Sequence, residues 1–498
     1  MAQDQQSQSV GNGIQEAGTR IMNGGRLTGL PPHMIGAQES PNCIDIDPVY
    51  PWGAKTRKGS AQVGSTGPVA ASGSPISGLF AAILNKATQY NIIGLATAIY
   101  SQDSTGSWFS AKIGMATDSI VQGGVLNNVI VAVASGFVPQ VATTGTTFLD
   151  MASGTYFPSA AKYFTLYVSK GWYAGDPSFP SRTTFSASQD PTDFTTANNA
   201  GYIDIGTGDG DVVQGLEGTK NCVYIFKRKN TYAVTGTSVF DFSATLLCRW
   251  GLVSQYAHCT DGQGCFFAAD DGIYYAVGLN VARLSDSVKV DYDSISDKST
   301  IAMEVVGEKL FVFFKGPGAT ANNKALVCAY KRQLDNGQVH GVWSLYNSQP
   351  FQVANTSRLG NIYAGTVGST PQIYQLDTGS SSVGFTWNTP DEDYGDLGYK
   401  QLIRYFVHCQ PGSSATYTIT AQPFADGASI GNPQTRDVPP TGSVASGANV
   451  GSHYALMFTP DTNIRGRFIR IQLVATGNNV ITGYRVYCDV RSEGMPRA

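Results

Sequence analysis

Charge is scarce in this chain. Asp, Glu, Lys and Arg make up 14% of its 498 residues, against roughly 25% in an average soluble protein. Lys and Arg total 33 against 36 Asp and Glu, a formal net charge of -3, which excludes a generally cationic nucleic-acid coat. Long hydrophobic runs are also missing. The longest, "VIVAVA" at 129–134, falls far short of the roughly 20 residues a membrane-spanning helix needs, so no membrane-spanning segment is expected. The start, "MAQDQQSQSV", has neither a basic end nor an apolar stretch, so no signal peptide is expected. The eight cysteines (43, 222, 248, 259, 265, 328, 409 and 488) are too scattered for a disulfide framework; several sit in apolar runs such as "CVYIF" and read as reduced, buried thiols.

What is present is glycine, tyrosine and phenylalanine: 57, 25 and 23 residues, in a chain that is 42% hydrophobic. Many turns and many aromatics are the composition of short strands, and the hydrophobic content excludes a disordered chain. From about 75 to 380, strand-like runs alternate with turn signals, as in "NCVYIFKRKNTYAVTGTS" and in "GCFFAADDGIYYAVGLNVARLSDSV", where Asp270-Asp271-Gly272 separates two aromatic runs. Hairpins in series with little helix predict an all-β fold with a β-propeller at 61–383. Residues 1–60 carry isolated apolar anchors among turn formers and read as an extended N-terminal arm laid along another surface. Beyond "DTGSSSVG" the period becomes a clean two. In "QLIRYFVHC", Ile403, Tyr405, Val407 and Cys409 are expected on the inward face, and in "YRVYCDV" Tyr484, Val486 and Cys488, giving a C-terminal β-sandwich at 384–498.

Candidate chemistry is thin. Asp270-Asp271 reads as a tight turn, because adjacent strand residues point to opposite faces and a carboxylate pair must converge. "IDIGTGDGDVVQG" places Asp204, Asp209 and Asp211 among glycines but lacks the terminal glutamate of a calcium loop, and is expected to be a solvated turn. "SQDSTGSW" (101–108) approximates an Asp-box turn of sialidase-like propellers. His258-Cys259 with Cys265 matches no zinc spacing, and His33, His340, His408 and His453 are isolated. The basic clusters at 55–59, at Lys227-Arg228-Lys229, and at Arg465, Arg467 and Arg470 read as solvated charge. With no G-x-S-x-G elbow and no Walker loop, no enzyme, catalytic residue, metal or cofactor is expected.

The order of the segments is more specific than any one of them. An arm "NGGRLTGLPP…CIDIDPVYPWGAKTRKG" precedes "SRTTFSASQDPTDF", "GYIDIGTGDGDVVQGL", "CVYIFKRKNTYAVTGTS", "FFAADDGIYYAVGLNVARLSDSV" and "DEDYGDLGYKQLIRYFVHC". This series, over roughly residues 20–490, resembles the tail nozzle proteins of short-tailed bacteriophages, also called tail tubular protein B or packaged-DNA stabilisation protein. The resemblance implies a structural virion protein of the viral tail, assembled in the bacterial host cytoplasm as a homo-hexameric ring below the portal and adaptor. Its lumen would carry viral DNA during ejection without sequence recognition, and its outside or far end would dock tail fibres, spikes or a plug. The family often has Trp where this chain has Phe194. On this reading the arm grips a neighbour or the adaptor through Leu27, Leu30, Ile44 and Trp52, and deleting residues 1–60 leaves a folded monomer. Two other classes fit an all-β propeller: a carbohydrate-binding or glycan-degrading propeller, and a fibre or baseplate component of a long-tailed phage.

Overall fold

A computed structural model describes residues 8–10, 14–16, 19–50, 53–64, 74–116, 119–331, 341–356, 362–366, 371–379, 382–394, 398–410, 417–438, 454–477 and 480–491. Short apolar strands joined by tight turns pair in sequence order into antiparallel sheets of four. Five such sheets, at 76–113, 121–150, 163–204, 213–248 and 258–283, form blades of a propeller together with the four strands at 302–347, which belong to a larger sheet, and the three at 351–375, seven blades in all. The first strand of each blade packs on the first strand of the next, and Phe351–Thr356 of blade seven packs on Ile76–Leu84 of blade one, which closes the ring. The all-β propeller expected from composition is what the chain forms.

Part of the glycine content has a local cause. Where first strands converge near the axis, a Cβ on Gly78 would lie 2.0 Å from the Val121 carbonyl oxygen, and one on Gly218 would lie 2.1 Å from that of Leu166. Only a residue without a side chain allows backbones this close. Farther out, aromatic layers fill the wedges between blades. Phe226 of blade four meets Phe267 of blade five at 5.4 Å, and Phe313 of blade six meets Phe351 of blade seven at 5.6 Å.

The C-terminal unit is a sandwich of two sheets. Tyr399–Gln410, Tyr454–Phe458 and Val480–Arg491 form one; Phe385–Asn388, Tyr417–Ala425, Gln434–Val438 and Ile469–Ala475 form the other. The inward residues Tyr484, Val486 and Cys488 are buried as expected, as are Tyr405, Val407 and Cys409. Ile403 departs from the expected alternation. The register slips between Leu402 and Arg404, so Leu402 takes the inward place and Ile403 is half-buried. A one-residue bulge exchanges the two faces of a strand, and no period-two reading anticipates it.

The N-terminal segment differs most from expectation. Its described residues are threaded through both units of its own chain. Ala61–Gln62 pairs with Ile373–Gln375 as the fourth strand of blade seven. Cys43–Ile44 pairs on one side with Val342–Asn347 of blade six and on the other with Phe385–Asn388 of the sandwich, making one continuous sheet. Ile14–Glu16, Arg20–Ile21 and Ala54–Lys55 all pair with Val480–Arg491. Met22, Cys43, Ile46 and Ala54 are buried in the sandwich core. Among the described residues no helix is long and apolar enough to cross a membrane.

Deleting residues 1–60 therefore removes core side chains and bridging strands, and the expected folded monomer does not follow. Such a deletion is expected to abolish cooperative thermal unfolding, and Met22→Ala alone to cost about 2–5 kcal/mol in denaturant titrations.

Candidate functional site

Convergent first strands leave an axial space, the usual place for a propeller to present chemistry. At the end where these strands finish, a bowl of about 880 Å³ is lined from all seven blades. At the other end lies a second cavity of about 570 Å³. Gln255 borders both, and the adjacent Tyr256 crosses between them. The Tyr256 hydroxyl donates to the Ser77 carbonyl of blade one, and its own carbonyl accepts from the Met303 amide of blade six at 2.8 Å. Its ring packs with Phe351 and Val353 of blade seven and Ile76 of blade one. Tyr256 thus ties blades one and six together across the axis.

The larger bowl has walls that are part apolar and part polar, the polar ones including Glu217, Asp261, Glu304, Lys331 and Asn355. His258 Nδ1 is 2.9 Å from Glu217 Oε2, joining the first strands of blades four and five. The imidazole stacks on Phe226 at 5.4 Å. Its buried Nε2 has no hydrogen-bond partner and sits over Gly215, where a Cβ would come within 3.0 Å. The imidazole is wedged between blades, and its contact with Glu217 braces them. Asp261 accepts from the amides of Gln263 (3.0 Å) and Gly264 (2.8 Å) and from the Tyr275 hydroxyl (3.1 Å). The bowl offers oxygen acceptors to a small polar ligand. Among the described residues no group of three His, Cys, Asp or Glu side chains could hold a metal ion.

The structure disperses the other sequence candidates. Asp270 and Asp271 close a hairpin between Cys265–Ala269 and Gly272–Val277. Their carboxylates go separate ways, Asp270 to Arg228 at 2.8 Å and Asp271 to the Tyr274 hydroxyl at 2.8 Å. Asp103 of the Asp-box-like stretch accepts from Thr105 and Ser107 amides at 2.9 Å each, and so shapes a turn of blade one. Cys259 and Cys265 are unbridged thiols whose pKa burial drives well above the ordinary value. Of the partner-contact candidates, Leu30 is exposed, Leu27 is half-buried, and Ile44 is taken up within the chain beside Leu345. Trp52 lies outside the described residues.

Two basic residues expected to be solvated are buried instead. Arg57 donates to Asp45 at 2.7 Å and lies 4.6 Å from the centre of the Tyr346 ring, fastening the N-terminal segment to blade six. Lys227 is fully buried and fills the glycine–aspartate loop weighed above as a calcium site. Its ammonium donates to Asp209 Oδ1 and Oδ2 (2.8 and 2.9 Å), to the carbonyls of Gly206 and Asp211 (3.1 Å each) and to Ser181 Oγ (3.3 Å). The side chain's own cation stands where a metal would. Burial works to raise the Asp209 pKa, but the hydrogen bonds and charge of Lys227 outweigh it and hold the carboxyl below its usual range. The sequence held one signal for this, a lysine closing the unbroken apolar run "CVYIFK". For Tyr256 there was none.

No protein-family profile and no curated protein matches the chain. Solved structures to which it is similar include a streptogramin B lyase (11% identity, covering 61% of this chain and 94% of that one, TM-score 0.40). Others are virginiamycin B lyase from Staphylococcus aureus (10%, 63% and 98%, 0.42) and the Neurospora crassa Pan2 WD40 domain (9%, 64% and 96%, 0.41). Two of the three are lyases, which corrects the expectation that the chain is not an enzyme. That expectation rested on missing motifs, and a missing motif does not exclude an enzyme. The likeness is one of fold and assigns no substrate.

Lys227→Met is expected to cost about 3 kcal/mol, because it strands the Asp209 carboxylate and the loop carbonyls. The Asp209 share of wild-type stability is complete above about pH 4 and is lost as pH falls through its depressed folded pKa; denaturant titrations against pH should show this step shrink in the variant. Tyr256→Ala is expected to join the two axial cavities and to cost about 3 kcal/mol in the same assay.

Proposed function

We propose that this chain is a structural subunit of the tail nozzle of a short-tailed bacteriophage, one copy of a ring that continues the DNA channel below the portal and adaptor. The observation that carries the reading is the ordered series of segments from "NGGRLTGLPP" to "DEDYGDLGYKQLIRYFVHC". The geometry supports it. A propeller and a sandwich stitched into one continuous sheet make a stiff block suited to a wall under load. On this reading the DNA path runs between copies and not through any one propeller, whose axis Tyr256 spans. The chain's modest net charge of -3 is compatible with a channel that does not hold phosphates tightly and so does not slow the DNA.

The test is quantitative mass spectrometry of purified virus particles. The expected result is this chain at about half the copy number of the portal protein, with particle imaging placing it below the adaptor. Absence from particles sinks the reading and directs attention to glycan arrays for a sugar-directed propeller. Presence in the fibre or baseplate fraction of a long-tailed particle favours that relative instead.

A further inference from the structure

Phe240 is the most exposed large hydrophobic side chain among the described residues, at 89%. A lone exposed aromatic is ordinary; the way this one is held is not. It sits in the loop between Thr231–Thr235 and Ser243–Cys248, the third and fourth strands of blade four. In "SVFDF" its neighbours turn inward. Val239 and Phe242 pack into the core shared by blades three and four, and the Phe242 ring lies 5.1 Å from both Trp172 and Phe185. Asp241 then staples the loop. Its carboxylate accepts from the amides of Thr237 (3.0 and 3.1 Å) and Ser238 (2.6 Å), and from both their hydroxyls at 3.1 Å. The loop is therefore anchored on both sides of Phe240, which cannot fold back onto its own core. An aromatic ring fixed in water gains nothing for the monomer and binds a partner at little entropic cost.

The same chain carries a receptor for such a ring. On blade three, Tyr156, Phe157, Phe179, Arg182 and Tyr202 surround a recess of about 100 Å³. Arg182 stiffens its wall, with the guanidinium 4.3 Å from the Phe179 ring centre and 3.7 Å from that of Tyr202, and tied to Asp204 at 2.8 and 3.0 Å. A dry cavity of roughly 150 Å³ encloses a benzene molecule, so a half-open recess of this size takes the leading part of a phenyl ring. The recess borders the turn between the second and third strands of its blade, whereas Phe240 sits on a turn between third and fourth strands. In an antiparallel blade these turns lie at opposite ends. Knob and recess thus face opposite sides of one subunit and cannot meet within it.

We propose that Phe240 of one copy enters the Tyr156–Phe179–Tyr202 recess of the next, a head-to-tail contact between copies of this chain. Such a contact uses two different patches and so propagates until rotation closes it into a ring. The inference rests on the ring-subunit reading above, and it names the junction.

Sedimentation of the full-length chain tests it. Wild-type chain should self-associate, and Phe240→Asp should weaken association by roughly 30-fold or more, the effect of losing one hot-spot aromatic. An unchanged thermal midpoint would show that the exposed loop change leaves the fold intact. Thr155→Trp, at the exposed rim of the recess, should weaken association in the same way. Mixed together, the two variants should stop at a dimer, because only one junction in the pair keeps both knob and recess. Association of Phe240→Asp like wild type, a mixture that grows past the dimer, or a wild-type chain that stays monomeric overturns the contact. Each of these leaves the particle stoichiometry unaffected, so failure of the junction is distinguishable from failure of the nozzle reading.

Discussion

Main-chain pairing between the N-terminal segment and sheets formed hundreds of residues later carries this architecture. A strand edge left open is both unsatisfied and prone to pair with another chain. Blade seven has only three strands of its own, and Ala61–Gln62 covers its edge. Cys43–Ile44 does the same at two edges at once, those of blade six and of the sandwich. Each pairing is only two or so residues long and weak alone. Their joint effect is topological, since neither the propeller nor the sandwich is complete until the segment is threaded through both.

The scarce charges serve the same end. Arg57–Asp45 (2.7 Å) and Arg26–Asp291 (2.8 Å) each tie the N-terminal segment to a later part of the chain or to itself at a bend. Lys309 bridges Asp47 at 2.9 Å and Asp377 at 2.7 Å, joining the segment, blade six and the link to the sandwich. Burying such pairs recovers little net free energy after desolvation, but a mispaired arrangement would strand a charge.

The axial region shows the same economy. Tyr256 uses the centre of the propeller to connect blades that are not neighbours, and the Glu217–His258 contact ties two that are. The result is a block with a bowl at one mouth and an exposed aromatic knob on the loop between the third and fourth strands of blade four. Cross-links of this kind favour the proposed assembly, because a contact between pre-organised surfaces loses little entropy on forming.

Sequence alone determined what depends on neighbours in the chain. Alternation and turn formers are local, so the hairpins around Asp270-Asp271-Gly272 and Lys227–Asn230, and the inward faces of 405–409 and 484–488, were legible from spacing. Only the tertiary structure decided what depends on residues remote in sequence. The closing strand at 61–62, the bridging strand at 43–44, the bolt at Tyr256 and the ammonium of Lys227 inside an aspartate loop each need a partner no local pattern specifies. The bulge at Ile403 belongs with them, because register is set by the partner strand and not by the strand's own sequence. Local patterning chooses the strand; the closure of rings and edges chooses its mate.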